Sequence, residues 1–148
     1  MSFRIPVEDA YCALLGRAIY IFAYYELIVI KIVDHFSPGY VEQYLVSVWT
    51  SRAIGETLKG VIQKSDLSDT HLRLKLETEA ERFLELVDDR NSLLHFHPYS
   101  AISGEQEFLE YRSPAHIQWD RSVIRKAIEE FEEGSIELRN LFRKLKQP

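Results

Sequence analysis

From Pro6 to Phe36 the chain is apolar on almost every face that a helix can present. Tyr11, Leu14, Leu15, Ala18, Phe22, Tyr25, Val29, Ile32 and Phe36 recur at helical spacing and form one stripe. Ile19, Ile21, Leu27, Ile28 and Ile30 add apolar surface on other faces. A helix of this kind is buried on more than one side, so it is either the central helix of a bundle or part of a dimer interface. Pro6 suits a first turn, and Glu8 and Asp9 complement the positive end of the helix dipole. Glu26 lies inside the apolar run. Burying a lone carboxylate is costly, so Glu26 requires a partner or a place at the edge of a wet cleft.

The rest of the chain also reads as helical. Ser37-Pro38 looks like an N-cap and first helical residue for a short helix to about Val48. Thr50 or Ser51 can cap a third helix ending near Lys64, in which Gly55 and Gly60 either weaken the helix or let another approach closely. Ser68 or Asp69 can cap a fourth helix over about Thr70 to Leu94, with Leu76, Ala80, Phe83, Leu84, Val87 and Leu94 as its apolar stripe. Glu77, Glu79, Glu81, Arg82 and Glu85 lie mostly off that stripe. Tyr99 to Gln106 is loop-like. Glu107 to Arg112 and Ala115 to Trp119, joined at Ser113-Pro114, suggest a short hairpin. Asp120 then caps a last helix, Arg121 to Lys146. Its basic end, Arg139, Arg143, Lys144 and Lys146, suits the helix dipole without any nucleic acid. The expected fold is all-α, a single domain of about five helices with a short β-hairpin or loop before the last.

The totals narrow the function. At 148 residues one domain with a real core is the natural expectation. The formal net charge of −5 provides no global basic field for nucleic acid, so any such contact needs a local patch. One cysteine, Cys12, excludes an internal disulfide framework and a thiol cluster for zinc, and favours a reducing, cytoplasmic setting. Met1 to Pro6 shows no signal-peptide pattern. The longest uncharged part of the first helix, Ala18 to Tyr25, is too short to span a bilayer, so no membrane association is expected.

The candidate chemistry is concentrated in Asp88-Asp89-Arg90-Asn91-Ser92-Leu93-Leu94-His95-Phe96-His97-Pro98. Asn91 falls where the fourth helix calls for an apolar residue, four after Val87 and three before Leu94. Arg90, seven after Phe83, flanks the same face. Polar groups there must be paired or must line a cavity. Arg90-Asn91 followed by His95 resembles the Arg-x4-6-His motif of the HEPN superfamily, in which a polar residue often follows the arginine. The run Leu15-Gly16-Arg17 through Phe22-Ala23-Tyr24-Tyr25-Glu26 is similar to the first helix of bacterial members, including its embedded acid.

The resemblance implies a metal-independent endoribonuclease without a cofactor, of toxin or defence type and neutralised by an antitoxin or other protein partner. It also implies a homodimer whose motifs face one another in a composite site. A histidine would deprotonate a ribose 2′-hydroxyl for attack on the adjacent phosphate. An arginine fork would stabilise the phosphate oxygens. In those terms Arg90, Asn91 and His95 are the catalytic candidates and Glu26 supports them. Because other HEPN members only bind, a non-catalytic interaction module is the alternative.

Two choices stay open. On a regular helix His95 lies about 140° around from Arg90, whereas His97 would face the same way. Pro98 pushes His97 out of the helical region, so ideal angles do not decide, and His97 is the alternate catalytic histidine. Tyr99, Tyr111 and Trp119 either stack on bases or pack in the core. His95-x-His97 lacks a third ligand at a supporting spacing, so no metal is expected.

Overall fold

In a computed structural model, residues 8–47, 49–94, 97–100, 106–109 and 118–147 are described, the three short strands by backbone alone. Helix α1 spans Asp9–Phe36, α2 Tyr40–Val46, α3 Ser51–Lys64, α4 Thr70–Leu94 and α5 Arg121–Leu145. The fold is all-α. The ends of these helices follow from local chemistry. Thr50 Oγ1 accepts from Ala53 N at the start of α3. Asp69 Oδ1 accepts from Leu72 N at the start of α4. Asp120 Oδ1 accepts from Val123 N at the start of α5, and that bond, with a second from Ser122 Oγ, holds its carboxyl below the ordinary value.

The start of α2 differs from expectation. Ser37 does not cap α2; it closes α1, donating its N–H to Val33 O at 2.7 Å. Gly39, at φ 98°, then lets the chain turn. Asp34 Oδ1 accepts from both Gly39 N and Val41 N at 3.1 Å. An acid in the last turn of α1 thus satisfies the first orphan donors of α2.

Around the bundle, α1 packs on α3 and α5, and α4 packs on the same two helices from the opposite side. Helices α1 and α4 therefore meet through the middle. Phe22 stacks on Phe83 with ring centres 5.6 Å apart, and Tyr25 and Phe131 pack edge-on against this pair. Two glycines allow close approach. A Cβ on Gly55 would lie 2.6 Å from Leu84 Cδ2, and one on Gly134 would lie 2.5 Å from the Tyr25 hydroxyl. A Cβ on Gly60 would meet nothing within 4 Å, so only Gly55 serves as a helix contact in α3.

Helix α1 is buried on its Tyr11, Ala18, Phe22, Tyr25, Val29 and Ile32 side, and Ile28, Ile30 and Val33 are buried too. Ile19 and Leu27 stay exposed. By length and composition alone α1 meets the measure of a membrane span, with a mean hydropathy of 1.6 over 18 residues. In α4 the buried face differs from the expected one at two places. Leu94 is 49% exposed, whereas Leu93 is buried, and Glu79 is only 9% exposed. Contact with three other helices gives α4 a wider buried arc than a single stripe.

Between α4 and α5 the backbone of β1 (His97–Ser100), β2 (Gln106–Leu109) and β3 (Gln118–Trp119) pairs antiparallel in the order β1-β2-β3. His97 stands opposite Leu109, and Phe108 stands opposite Trp119. The strand β1 thus takes up the start of the stretch read as loop. Its edge position suits Pro98, which has no N–H to donate. Most of the expected hairpin, with its turn at Ser113-Pro114, lies outside the described residues.

Candidate functional site

Arg90 and Asn91 sit near the C-terminal end of α4, half-buried. Arg90 points back into the bundle, its Cζ 5.0 Å from the centre of the Phe22 ring. A guanidinium over an aromatic face gains about 0.5–2 kcal/mol, depending on how far it is desolvated. Its Nη2 donates to Ser51 Oγ. Ser51 Oγ in turn donates to Glu26 Oε2 at 3.0 Å. Three helices therefore meet in one polar chain, Arg90 from α4, Ser51 from α3 and Glu26 from α1. Arg90 Nε is buried and has no hydrogen-bond partner among the described residues.

This chain borders an open cavity of about 400 Å³ lined by Glu26, Trp49, Thr50, Ser51, Arg90 and Asn91. Glu26 has both features that its position demands, a partner and a wet edge. Thr50 and Ser51 bring the first turn of α3 to the cavity, and a helix N-terminus favours anions. Trp49 stacks on Tyr40 with ring centres 4.9 Å apart and planes at 15°. Burial pushes the Tyr40 phenol up, so this supporting ring stays neutral at physiological pH. A cation, a helix N-terminus, a carboxylate, an amide and an indole thus share one opening. Together they can bind a ligand that offers an anionic group, hydroxyl donors and a flat ring.

The neighbouring acids of the motif point elsewhere. Asp88 pairs with Arg52 at the mouth of α3, not with Arg90. Asp89 turns toward α5, where burial raises its carboxyl, with Glu130 and Asp88 adding to the rise and Lys126 opposing it. His95 lies outside the described residues. His97 is described only as a backbone position in β1, so the structure brings together Arg90, Asn91 and Glu26 of the expected set. The side chains of Tyr99, Tyr111 and Trp119 also lie outside the described residues.

Sequence reasoning missed Trp49 and took Thr50 and Ser51 for caps alone. Ser51 is 39 residues from Arg90, and no local spacing marks their contact. The one available signal is placement, since Trp49-Thr50-Ser51 begins a helix, whose first backbone N–H groups have no partner within the helix.

No protein-family model, no curated protein and no solved structure matches the chain. The functional reading rests on the site's own residues and on the motif they resemble.

Proposed function

We propose that the cavity takes an RNA phosphodiester and that the protein is a HEPN-like, metal-independent endoribonuclease of toxin or defence type. The observation that carries this reading is the Arg90 guanidinium, fixed by Ser51 and Phe22 at the wall of an open cavity and followed by Asn91. Arg90 and the first turn of α3 supply positive potential for phosphate oxygens. Glu26 accepts from ribose hydroxyls, and Trp49 offers an aromatic face to a base. The chain leaves α4 only one residue before His95, and His97 opens β1, which puts both histidines close in sequence to this arginine.

The reaction uses no added metal. A histidine, His95 with His97 as alternate, takes the proton of the 2′-hydroxyl. The 2′-oxygen then bonds to phosphorus while the bond from phosphorus to the 5′-oxygen breaks, and the leaving oxygen takes up a proton. The products are a 2′,3′-cyclic phosphate and a 5′-hydroxyl. Arg90 stabilises the charge that builds on the phosphate oxygens.

The test is incubation of mixed RNAs with the purified protein in EDTA, with end-group analysis of the products. Wild type is expected to leave cyclic phosphate ends on RNA and to spare DNA. Arg90→Ala and His95→Ala, still folded by circular dichroism, are expected to lose that activity. Cleavage by folded Arg90→Ala at the wild-type rate sinks the enzyme reading.

One observation favours a second reading. The Glu26 carboxylate sits in the same cavity and, through Ser51, already engages Arg90. A resident anion weakens attraction for a second one. On that reading the cleft is a non-catalytic binding module for a nucleotide, an RNA end or a protein, and the RNA stays intact while bound.

A further inference from the structure

A second cavity, of about 320 Å³, opens between α4 and α5. His71, Leu74, Lys75, Thr78 and Glu79 line it from one face of α4, at the spacings that set residues side by side on a helix. Glu137 lines it from α5. Glu79 is only 9% exposed and forms the floor. Lys75 and Glu137 are half-buried, and His71, Leu74 and Thr78 stand exposed at the rim. No hydrogen bond among the described residues reaches the buried Glu79 Oε2. Arg82 Nη1 stands 3.8 Å from it, too far to donate one.

Two acids and two bases thus share one opening without satisfying one another. Glu137, Lys75 and His71 make no side-chain hydrogen bond or ion pair among the described residues. Burial raises the Glu79 carboxyl, Arg82 opposes that rise, and Glu137 adds to it. A buried carboxylate without a donor is costly, and an ammonium between Glu79 and Glu137 would supply donors and charge to both. A metal ion does not fit, because among the described residues no three acid, histidine or thiol side chains converge closely enough to hold one. The bases lie in one direction from the acids. Lys75 precedes Glu79 by about 6 Å along α4 and His71 by about 12 Å. Charge is therefore sorted along the cavity, negative at the Glu79 and Glu137 end and positive at Lys75, with His71 beyond it. Lysine four residues before glutamate is also the poorer order for a helical ion pair, which favours keeping Lys75 and Glu79 apart.

We infer that this cavity binds a free α-amino acid with an apolar side chain, its ammonium held by Glu79 and Glu137 and its carboxylate by Lys75. The amino nitrogen and carboxylate carbon of such a ligand lie about 2.5 Å apart. A hydrogen bond of about 2.9 Å at each end lets it bridge the single turn between Lys75 and Glu79. Leu74, 55% exposed, offers the ligand's side chain an apolar surface at the rim. The Thr78 hydroxyl donates to Leu74 O at 3.0 Å and so is not a free donor. A plain amine leaves Lys75 unmatched, and a plain carboxylate leaves Glu79 unmatched. Arg90 lies about 16 Å further along α4 than Glu79, so the inference stands apart from the RNA reading.

The probes are L-leucine, 3-methylbutylamine, which lacks the carboxylate, and 4-methylpentanoate, which lacks the amine. Each is titrated at pH 7 into the 15N-labelled full chain in an amine-free buffer, up to about 20 mM, a range that covers millimolar affinities. Leucine is expected to give saturable amide shifts between His71 and Glu79, and the other two to bind at least tenfold more weakly. Glu79→Gln keeps the shape of the side chain and is expected to weaken leucine binding at least tenfold. Lys75→Met is expected to bring leucine down to the level of 3-methylbutylamine without weakening that amine, a pattern that general loosening of the helix does not produce. The absence of saturable shifts with leucine overturns the inference. So does 3-methylbutylamine binding as tightly as leucine, which would make this a site for organic cations. Leucine binding that survives Glu79→Gln overturns it as well. Tighter leucine binding by Lys75→Met does the same, because the natural occupant of the acids would then be the ammonium of Lys75.

Discussion

Tyr25 and Glu26 are consecutive residues of α1, and α4 offers each of them an arginine, yet the two clusters differ in kind. Tyr25 turns into the sealed centre of the bundle, where its hydroxyl is buried without a hydrogen-bond partner among the described residues. Beside it lies Glu79, whose Oε2 is buried and lacks a hydrogen bond, 3.8 Å from Arg82 Nη1. Arg82 spends its Nη2 on Glu133 of α5 at 3.0 Å. Glu26 instead faces an open cavity and is joined to Arg90 through Ser51. One cluster is closed at the Tyr25 hydroxyl, while Glu79 and Arg82 beside it border separate cavities of about 320 and 380 Å³, and it carries unmet polar atoms, as the other does at Arg90 Nε. The other is open, its charges linked in sequence, with room for a ligand. An arginine near an acid inside a helical bundle is thus not enough to mark a phosphate site. An arranged order of donors, from Arg90 through Ser51 to Glu26 at one opening, separates the two.

The sharpest way to break that comparison is to remove each arginine in turn. Arg90→Ala is expected to lower RNA cleavage at least about 100-fold, in line with the loss of one charge-stabilising donor. Arg82→Ala is expected to leave the cleavage rate within about twofold and to lower stability by about 1 kcal/mol, through the lost bond to Glu133. Initial rates and thermal melts on the two variants check both. Equal loss of activity in the two would place the clusters in one functional class.

The difference between the clusters was only partly readable from the chain. Arg90 and Asn91 stood out because they interrupt an apolar period, and helical period is a local property. Thr50, Asp69 and Asp120 were readable as caps for the same reason, since a cap bonds an N–H three residues on. Ser51 and Trp49 were not readable as site residues, because their meeting with Arg90 and Tyr40 depends on how α2, α3 and α4 pack. Glu79 was misjudged as off the stripe. The stripe assumes one buried face, while α4 is enclosed by α3, α5 and the aromatic centre of α1. The excess apolar surface of α1 was legible as a quantity, but only the packing shows that Tyr20 and Leu27 are the part left uncovered.

Glycine substitutions probe the closed cluster next. Gly134→Ala forces a Cβ to within 2.5 Å of the buried Tyr25 hydroxyl, and the ring has little space to yield. Overpacking of this kind costs about 2 kcal/mol. The melting temperature is expected to fall by about 4–8 °C, while RNA cleavage by the folded fraction is unchanged. Gly16→Ala, with open space around the new methyl, is expected to raise monomer stability by up to about 1 kcal/mol. A neutral Gly134→Ala would show that the centre of the bundle is looser than its packing implies.

Ser51→Ala addresses the open cluster, because it removes the link between Arg90 and Glu26. The variant is expected to lose about 1 kcal/mol of stability, the ordinary worth of a hydrogen bond. RNA affinity is expected to fall several-fold as Arg90 loses the hydroxyl that positions it, with cleavage at saturation falling less. Titration by fluorescence anisotropy, paired with single-turnover rates, separates the two. A variant with wild-type affinity would mean that Phe22 alone holds the guanidinium.

The smallest effect is also the most specific to the closed cluster. Burial raises the Glu79 carboxyl above its ordinary value of 4.5, with Arg82 opposing the rise and Glu137 adding to it. The folded chain therefore keeps this proton to higher pH than the unfolded chain does. Below 4.5 both states are protonated, and Glu79 costs nothing through its charge. As pH rises from there through the folded value the unfolded state is favoured, and the cost stays constant above it. Glu79→Gln keeps the shape and removes the charge. It is expected to gain of order 0.5 kcal/mol at pH 7, a modest figure because the nearby Arg82 charge offsets part of the cost of burial. The gain should vanish near pH 4, in thermal melts run across that range. A gain that persists at pH 4 would trace the effect to packing. No gain at pH 7 would mean that Arg82 already offsets the burial, and the closed cluster would then be as well satisfied as the open one.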